Sequence, residues 1–183
     1  QRWRGSLNKH TENVKHKTEH RNKKTESITA AKLIHESESG GLFQINVADN
    51  AAADITLPAI TAGNVGITYG FFLGTANTEA LRIVTSTIDD VTGDVFVGSL
   101  LNITSAANGT GTAGVMAVVP GADDNAIVLD EDLTNAAAQV GSYVECTAFS
   151  YSSDAHSKWI VSGYIINDTA TGTGAALFTD RDA

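Results

Sequence analysis

The chain contains few residues of the kinds that disulfides, thiolate metal centres and membrane spans require. Of its 183 residues, one is cysteine and only 18% are charged. The single cysteine, Cys146, excludes an intramolecular disulfide and a metal site built from several thiolates. It lies in the pattern Tyr143-Val-Glu-Cys, which predicts a small buried side chain on a strand. No apolar run approaches the ~20 residues that span a bilayer, and we therefore expect no membrane partner.

Motifs for nucleophilic catalysis and phosphate binding are missing as well. The sequence has no G-x-S-x-G elbow, and its stretch NGTGTAG lacks the Lys and Ser/Thr of a P-loop. His35 and His156 lack the sequence neighbours that would suggest a catalytic triad. We therefore expect a non-enzymatic protein without a cofactor, and a depolymerase is the least favoured alternative.

Two segments carry side chains that bind ions in other proteins. His10, His16 and His20 lie close together, and the stretch GADDNAIVLDED brings together Asp123, Asp124, Asp130, Glu131 and Asp132. The acidic stretch lacks the sixth-position glycine and the terminal glutamate of a calcium-binding loop. Solvated side chains are the favoured interpretation of both segments. We predict no metal ligand, and the possibility of an ion at residues 123–132 stays open.

Charge is distributed unevenly along the chain. Residues 1–32 hold nine Lys or Arg and three Glu, a net charge of +6, whereas the remainder holds three basic and eighteen acidic residues, a net charge of −15. Such asymmetry is informative about partners rather than about the fold. We divide the chain into a basic extended arm (1–27), a β-sandwich domain (28–168) and a C-terminal tail that is flexible or docked (169–183).

The basic arm has few apolar side chains with which to fold on its own. Nucleic-acid binding by counterion release is one interpretation, but the arm's glutamates and the acidic remainder argue against nucleic acid as the partner. Docking on an acidic protein surface is favoured, with Trp3 and Leu7 as buried anchors. The predicted partner-binding residues are Arg2, Trp3, Arg4, Leu7, Lys15, Lys17, Arg21, Lys23 and Lys24.

Beyond the arm, short strand patterns alternate with turn residues. The segment DITLPAI alternates polar and apolar residues up to Pro58, which has no N–H for a ladder and should end its strand. Many short strands without helices between them predict an all-β fold, an antiparallel β-sandwich of the jelly-roll type with an extended N-terminal arm. The predicted strands lie at 28–35, 42–47, 54–57, 66–73, 80–85, 94–97, 99–104, 113–119, 126–130, 141–150 and 158–166.

The same patterns predict particular packing positions. A helical turn is expected at 132–139, and Leu177-Phe178 is a candidate anchor for the tail. The edges and apolar faces of so many short strands also predict self-association. The side chains expected to face inward are Phe71, Leu73, Ile83, Val118, Val144, Trp159 and Val161.

One long tract, KLIHESESGGLFQINVADNAAADITLPAITAGNVGITYGFFL, combines several of these patterns. A strand that ends in E-S-G, a short strand, an alternating run closed by L-P, an A-G loop and an aromatic strand together resemble a recurrent β-domain of tailed-bacteriophage virion proteins. The closing SKWIVSGYI, a Lys-Trp strand with V-x-G, is similar to the end of such domains. The resemblance spans residues 27–166, and the region 86–135 and the basic arm depart from the compact form.

The resemblance implies a virion structural protein without catalytic residues. The favoured role is a capsid decoration (cement) protein on the outer capsid surface, which binds the major capsid protein or another virion protein and stabilises the head shell. A homotrimer is the implied oligomeric state. The alternative is a fibre or tail adaptor module that binds a receptor glycan.

Overall fold

The computed structural model describes residues 25–86, 93–104, 114–130, 138–167 and 177–181. In these ranges the chain forms thirteen β-strands and a short 3-10 turn, Glu36–Glu38, between the second and third strands. The strands are β1 (Thr25–Ile28), β2 (Lys32–Leu33), β3 (Leu42–Ile45), β4 (Ala53–Thr56), β5 (Thr68–Leu73), β6 (Leu81–Val84), β7 (Asp94–Gly98), β8 (Leu100–Thr104), β9 (Gly114–Val118), β10 (Ala126–Val128), β11 (Tyr143–Ser150), β12 (Ser157–Asn167) and β13 (Phe178–Thr179). The predicted all-β fold is confirmed.

The first six strands alternate between two sheets. β1, β3 and β5 are parallel neighbours in an eight-stranded sheet, sheet A, while β2, β4 and β6 are parallel neighbours in a five-stranded sheet, sheet B. Parallel neighbours need a long crossover connection, which is usually helical. Here a strand of the opposite sheet supplies each crossover. The chain from β1 to β6 therefore forms three turns of a β-solenoid, each with one strand in each sheet.

The remaining strands complete both sheets. β11 and β12 form an antiparallel hairpin beside β5, β10 pairs antiparallel with β6, and β13 pairs antiparallel with β10. β7 and β8 lie along the other edge of β12, both parallel to it, and β9 pairs antiparallel with β8. Sheet A thus has the order β1-β3-β5-β11-β12-β8-β9, with β7 also on β12, and sheet B has the order β13-β10-β6-β4-β2.

Side chains from both sheets form one hydrophobic core. The alternation of buried and exposed side chains that builds this core is clear in β12. Trp159, Val161 and Ile165 are buried, while most of the residues between them are exposed. The Trp159 ring lies 6.0 Å from the ring of Tyr69, whose hydroxyl donates a hydrogen bond to the carbonyl oxygen of His35 at 3.1 Å. Burial raises the pKa of Tyr69 to about 12. The tyrosine thus fills the core and also fixes the chain just before the 3-10 turn.

The strand positions predicted from the sequence agree closely with those observed, with one division and one addition, the short strand β13, which lies in the predicted tail. The predicted strand 28–35 comprises the end of β1 and all of β2, which lie in different sheets. Leu177 and Phe178 are buried, as predicted for an anchor, and Val118 is only partly buried against the core. Most of the predicted helical turn lies outside the described residues. The other six predicted core residues are all buried: Phe71, Leu73, Ile83, Val144, Trp159 and Val161.

The expected antiparallel jelly roll is not confirmed, because both sheets contain parallel ladders. Short strands separated by short turns resemble a series of hairpins in the sequence. In the structure many of these turns instead carry the chain across to the other sheet. The N-terminal boundary also shifts, since β1 begins at Thr25 and residues 25–27 of the predicted arm lie in sheet A. Residues 1–24 lie outside the described residues.

The segment DITLPAI ends its strand where predicted. β4 stops at Thr56, the N–H of Leu57 still donates to the carbonyl oxygen of Val84 at 2.8 Å, and Pro58 then ends the ladder. At the other end of the segment, Asp54 accepts hydrogen bonds from Arg82 at 2.9 and 3.2 Å. Arg181 also lies 3.2 Å from this carboxylate, so one side chain ties β4 and β6 to the C-terminal segment.

Gly163, the glycine of the V-x-G pattern, occupies a position that no other residue fits. Its φ is +137°, a conformation that side chains with a Cβ rarely adopt. A Cβ there would lie 2.2 Å from the carbonyl oxygen of Tyr143 on the paired strand β11. The glycine thus allows the backbones of β11 and β12 to approach closely at the centre of sheet A.

We predict that Gly163→Ala destabilises the fold by about 1–3 kcal/mol or more, because backbone strain and a clash with backbone act together. Gly63→Ala is the matched control, since a Cβ there meets only the Thr61 hydroxyl at 3.9 Å. The control should be neutral or slightly stabilising. Urea unfolding of both variants followed by circular dichroism gives the comparison, and equal midpoints would contradict the assignment.

Candidate assembly surface

The residues predicted to bind a partner lie outside the described part of the chain. All nine arm residues, Arg2 to Lys24, belong to residues 1–24, as do His10, His16 and His20. Their roles therefore stay predictions. Among the described residues, exposed apolar side chains lie on the outer surface of sheet A, which the sequence did not single out.

Cys146 is the small buried strand residue that the sequence predicts. It lies on β11 with no exposed surface, and burial is the main cause that raises the pKa of its thiol, with a contribution from Glu145. It makes no disulfide. A buried thiol held in its neutral form is a poor nucleophile and a poor metal ligand.

The acidic stretch and His156 form a link between loops. Nε2 of His156 lies 3.5 Å from a carboxylate oxygen of Asp123, and Nδ1 lies 2.9 Å from the carbonyl oxygen of Gly93. Asp124 accepts a hydrogen bond from the N–H of Gly121 at 2.6 Å. Among the residues that the structure describes, no group of three or more His, Cys, Asp or Glu could hold a metal ion. Glu131 and Asp132 lie outside these residues.

Apolar and aromatic side chains form a continuous row across the outer surface of sheet A. Paired residues of neighbouring strands share a face. The register places Phe72 beside Tyr143, Tyr143 beside Tyr164, Tyr164 beside Leu101 and Leu101 beside Ala117. The rings of Tyr143 and Tyr164 are 6.3 Å apart. This row crosses five neighbouring strands, in the order β5, β11, β12, β8 and β9, without a charged residue.

A second row continues the apolar surface toward the β9 edge. Ile166 of β12 pairs with Ile103 of β8, and Ile103 pairs with Val115 of β9. Leu101 is 43% exposed and Val115 is 64% exposed, although both are fully apolar. We call the surface formed by Tyr143, Tyr164, Leu101, Ile103 and Val115 the apolar face. Contiguous exposed apolar surface of this kind marks interaction sites in folded proteins.

The apolar face becomes polar toward the solenoid. The hydroxyl of Tyr143 donates to Glu145 at 3.1 Å. Partial burial is the larger cause that raises the pKa of Tyr143 to about 12, and the hydrogen bond to Glu145 with its negative charge is the next. Two residues beyond Glu145 on β11, the hydroxyls of Thr147 and its partner Thr68 share a hydrogen bond at 2.9 Å. The hydrogen bond to Glu145 orients the Tyr143 ring, and Glu145 with the two threonines limits the apolar face on this side.

An ion-pair cluster lies near the opposite edge of sheet A. The ammonium of Lys32 binds Glu26 of β1 and Glu38 of the 3-10 turn, and it lies 5.4 Å from the centre of the Phe43 ring. Partial burial favours the neutral amine, but the hydrogen bonds to the two glutamates outweigh it and raise the pKa of Lys32. Beside the turn lies an open depression of about 650 Å³, lined in part by His35.

Buried asparagines hold several loops, and sequence reasoning missed them. Asn77 donates to the carbonyl oxygens of Ala48 and Ala51 at 3.0 and 2.9 Å. Asn64 donates to Glu36 at 2.7 Å, which ties its loop to the 3-10 turn. Nothing in the local pattern distinguishes these asparagines from the many exposed ones, because their partners are distant in sequence.

Comparison of the chain with family models, with curated proteins and with solved structures returned no match. Within the described ranges, no helix has the length and apolar character of a membrane span.

Asp94 is a buried acid that joins the start of β7 to the segment that follows β4. It opens β7, is only 4% exposed, and accepts a hydrogen bond from the N–H of Ile60 at 3.1 Å. Burial raises the pKa of Asp94, and the Ile60 N–H partly offsets the rise. The Trp159 indole also favours the carboxylate form of Asp94.

The raised pKa of Asp94 gives stability a defined pH dependence. Because the folded state holds this proton more tightly than the unfolded state, the contribution of Asp94 is most favourable below about pH 4 and is lost as pH rises through the folded pKa. Asp94→Asn keeps an oxygen for Ile60 and cannot ionise. We expect its stability relative to the wild type to increase from pH 4 to pH 7.

Urea unfolding at both pH values measures this difference. The exposed Asp154→Asn is the control for removal of a surface carboxylate. Asp94→Ala removes the acceptor of Ile60 and should cost about 1–3 kcal/mol. A pH-independent difference between Asp94→Asn and the wild type would contradict the assignment.

Proposed function

We propose that this chain is a non-enzymatic structural protein of a bacteriophage virion, and that it is a capsid decoration protein which attaches to the head shell. The observation that carries the proposal is the apolar face, a partly to fully exposed surface without charged residues on neighbouring strands of sheet A. A surface of this kind suits permanent contact with other protein subunits, because burying apolar area contributes roughly 25 cal/mol per Å².

The sequence supports the same role from a different direction. The tract around DITLPAI and the closing SKWIVSGYI resemble β-domains of tailed-phage virion proteins, and the structure gives several of these motif residues structural roles. Pro58 follows the last ladder contact of β4, and Gly163 permits the β11–β12 contact. In this proposal the arm anchors the protein to the major capsid protein or to another virion protein, and the copies self-associate, with a homotrimer as the state that the resemblance implies.

A second candidate is a fibre or tail adaptor that binds glycan. Phe149 and Tyr151, at the end of β11, are 59% and 46% exposed. Exposed aromatic rings can stack on the apolar faces of sugar rings. The copy number per virion separates the two roles: hundreds of copies indicate decoration, and a handful to a few dozen indicate a fibre. Mass spectrometry of purified virions provides this count.

Attachment through the arm should have a salt-resistant and a salt-sensitive part. Exposed ion pairs contribute only ~0–1 kcal/mol each and weaken as salt rises. Burial of Trp3 and Leu7 would contribute roughly 1.5–3 kcal/mol each and would persist. We therefore expect Trp3→Ala/Leu7→Ala to bind undecorated shells at low salt and to dissociate at high salt, where the intact chain stays bound.

The matched truncation is the fragment 25–183, because it removes the arm and keeps β1 in sheet A. It should retain the circular dichroism of the intact chain and lose shell binding at both salt concentrations. Co-sedimentation of the three proteins with shells measures the effect. Equal binding by all three would remove the arm from the mechanism and favour the fibre role.

A further inference from the structure

Most edge strands of the two sheets are protected against pairing with another chain, and β9 is not. β2 and β13 are only two residues long. β1 carries Glu26, which binds Lys32. The N–H of Phe96 in β7 donates to the carbonyl oxygen of Asp124 at 2.9 Å, so a loop occupies that edge. Short strands, charges and covering loops are the usual means of protecting an edge.

β9 has none of these protections within the described part of the chain. It is five residues long, pairs with β8 on one side, and has no described strand on the other. Its two faces are both exposed: Val115 is 64% exposed on the outer side of sheet A, and Met116, which pairs with the buried Asn102, is 49% exposed. Because it is regular and apolar and has one edge without a partner among the described strands, β9 is a template for one more strand.

Charge favours a second copy of this chain as the occupant. The whole chain carries a net charge of −9, so two copies repel each other wherever their acidic surfaces meet. Residues 95–122, which include β8 and β9, contain no Asp, Glu, Lys, Arg or His. β9 therefore lies in a part of the chain where two copies can come together without placing like charges side by side.

The sequence of β9 also suits pairing with itself. An antiparallel pair centred on Met116 places Met116 opposite its twin, Val115 opposite Ala117 and Val118 opposite Gly114, so no charged or polar side chain enters the pair. A two-fold axis perpendicular to the sheet at this point keeps both outer surfaces on the same side. The apolar face of one copy then continues into that of the next.

We propose that two copies of the chain associate through antiparallel pairing of their β9 strands, with Met116 opposite Met116. This interface deepens the proposed function, on whose self-association it rests. It yields a dimer, or a hexamer if a second contact closes a three-fold ring. A free trimer, the state that the resemblance implies, is incompatible with it.

Disulfide cross-linking of the full chain tests the register. Cys146 is buried and is the chain's only cysteine, so Met116→Cys introduces an exposed thiol without an accessible competitor. Directly opposed residues of an antiparallel pair have Cα atoms about 4.5–5.5 Å apart, within the range that a disulfide spans. Mild oxidation should convert most of this variant into a reducible covalent dimer, while the exposed loop variant Val65→Cys should react far less.

Light scattering tests the interface itself. The wild type should form an even-numbered oligomer, and Val115→Lys, which places a charge in the interface at an exposed position, should halve its mass with unchanged circular dichroism. Val65→Lys, an exposed valine in a loop, should leave the mass unchanged. A monomeric or trimeric wild type, or equal oxidation of Met116→Cys and Val65→Cys, would overturn the proposal. No virion component is used, so such a failure leaves the shell-binding test intact.

Discussion

The structure depends on the pairing of β12, the eleven-residue strand near the middle of sheet A. One edge of β12 pairs antiparallel with β11, which connects it through β5 to the solenoid. The other edge pairs first with β7 and then with β8, both in parallel. β12 therefore joins the solenoid, through β11 and β5, to the exposed β8–β9 region on its other edge. This explains why Gly163, which permits close approach at that junction, occupies a backbone conformation that suits glycine alone.

Local sequence patterns predicted where the strands lie but not which strands are neighbours. Alternation and turn residues mark a strand because they act within a few residues, as at DITLPAI. Sheet partners depend on contacts across long separations, such as β3 with β5 or β12 with β8. The division of 28–35 illustrates the limit: its residues are all compatible with extended backbone, and only the packing of two sheets decides that the chain crosses between them.

The candidate surface was difficult to predict for a related reason. Residues 113–119 form an apolar run, and such a run is typical of a buried strand. In the structure β9 lies beyond the core, so Val115 and Met116 are exposed and Val118 contacts the core only partly. The sequence pointed to the basic arm as the interaction site, because the net charge of a segment can be counted without knowing the fold. Exposure of apolar residues is visible only once the neighbours of each strand are known.

The order of strands in sheet A also fixes the distance between β1 and β9. β1, which continues from the basic arm, and β9, which has the unprotected edge, lie at opposite ends of the strand order. Six interstrand steps separate them, which corresponds to roughly 30 Å along the sheet before twist is considered. In the proposed assembly a sheet of this width would act as a spacer between the partner of the arm and the second copy at β9. Each additional solenoid turn would lengthen that spacer by one strand, about 4.8 Å, without altering either end.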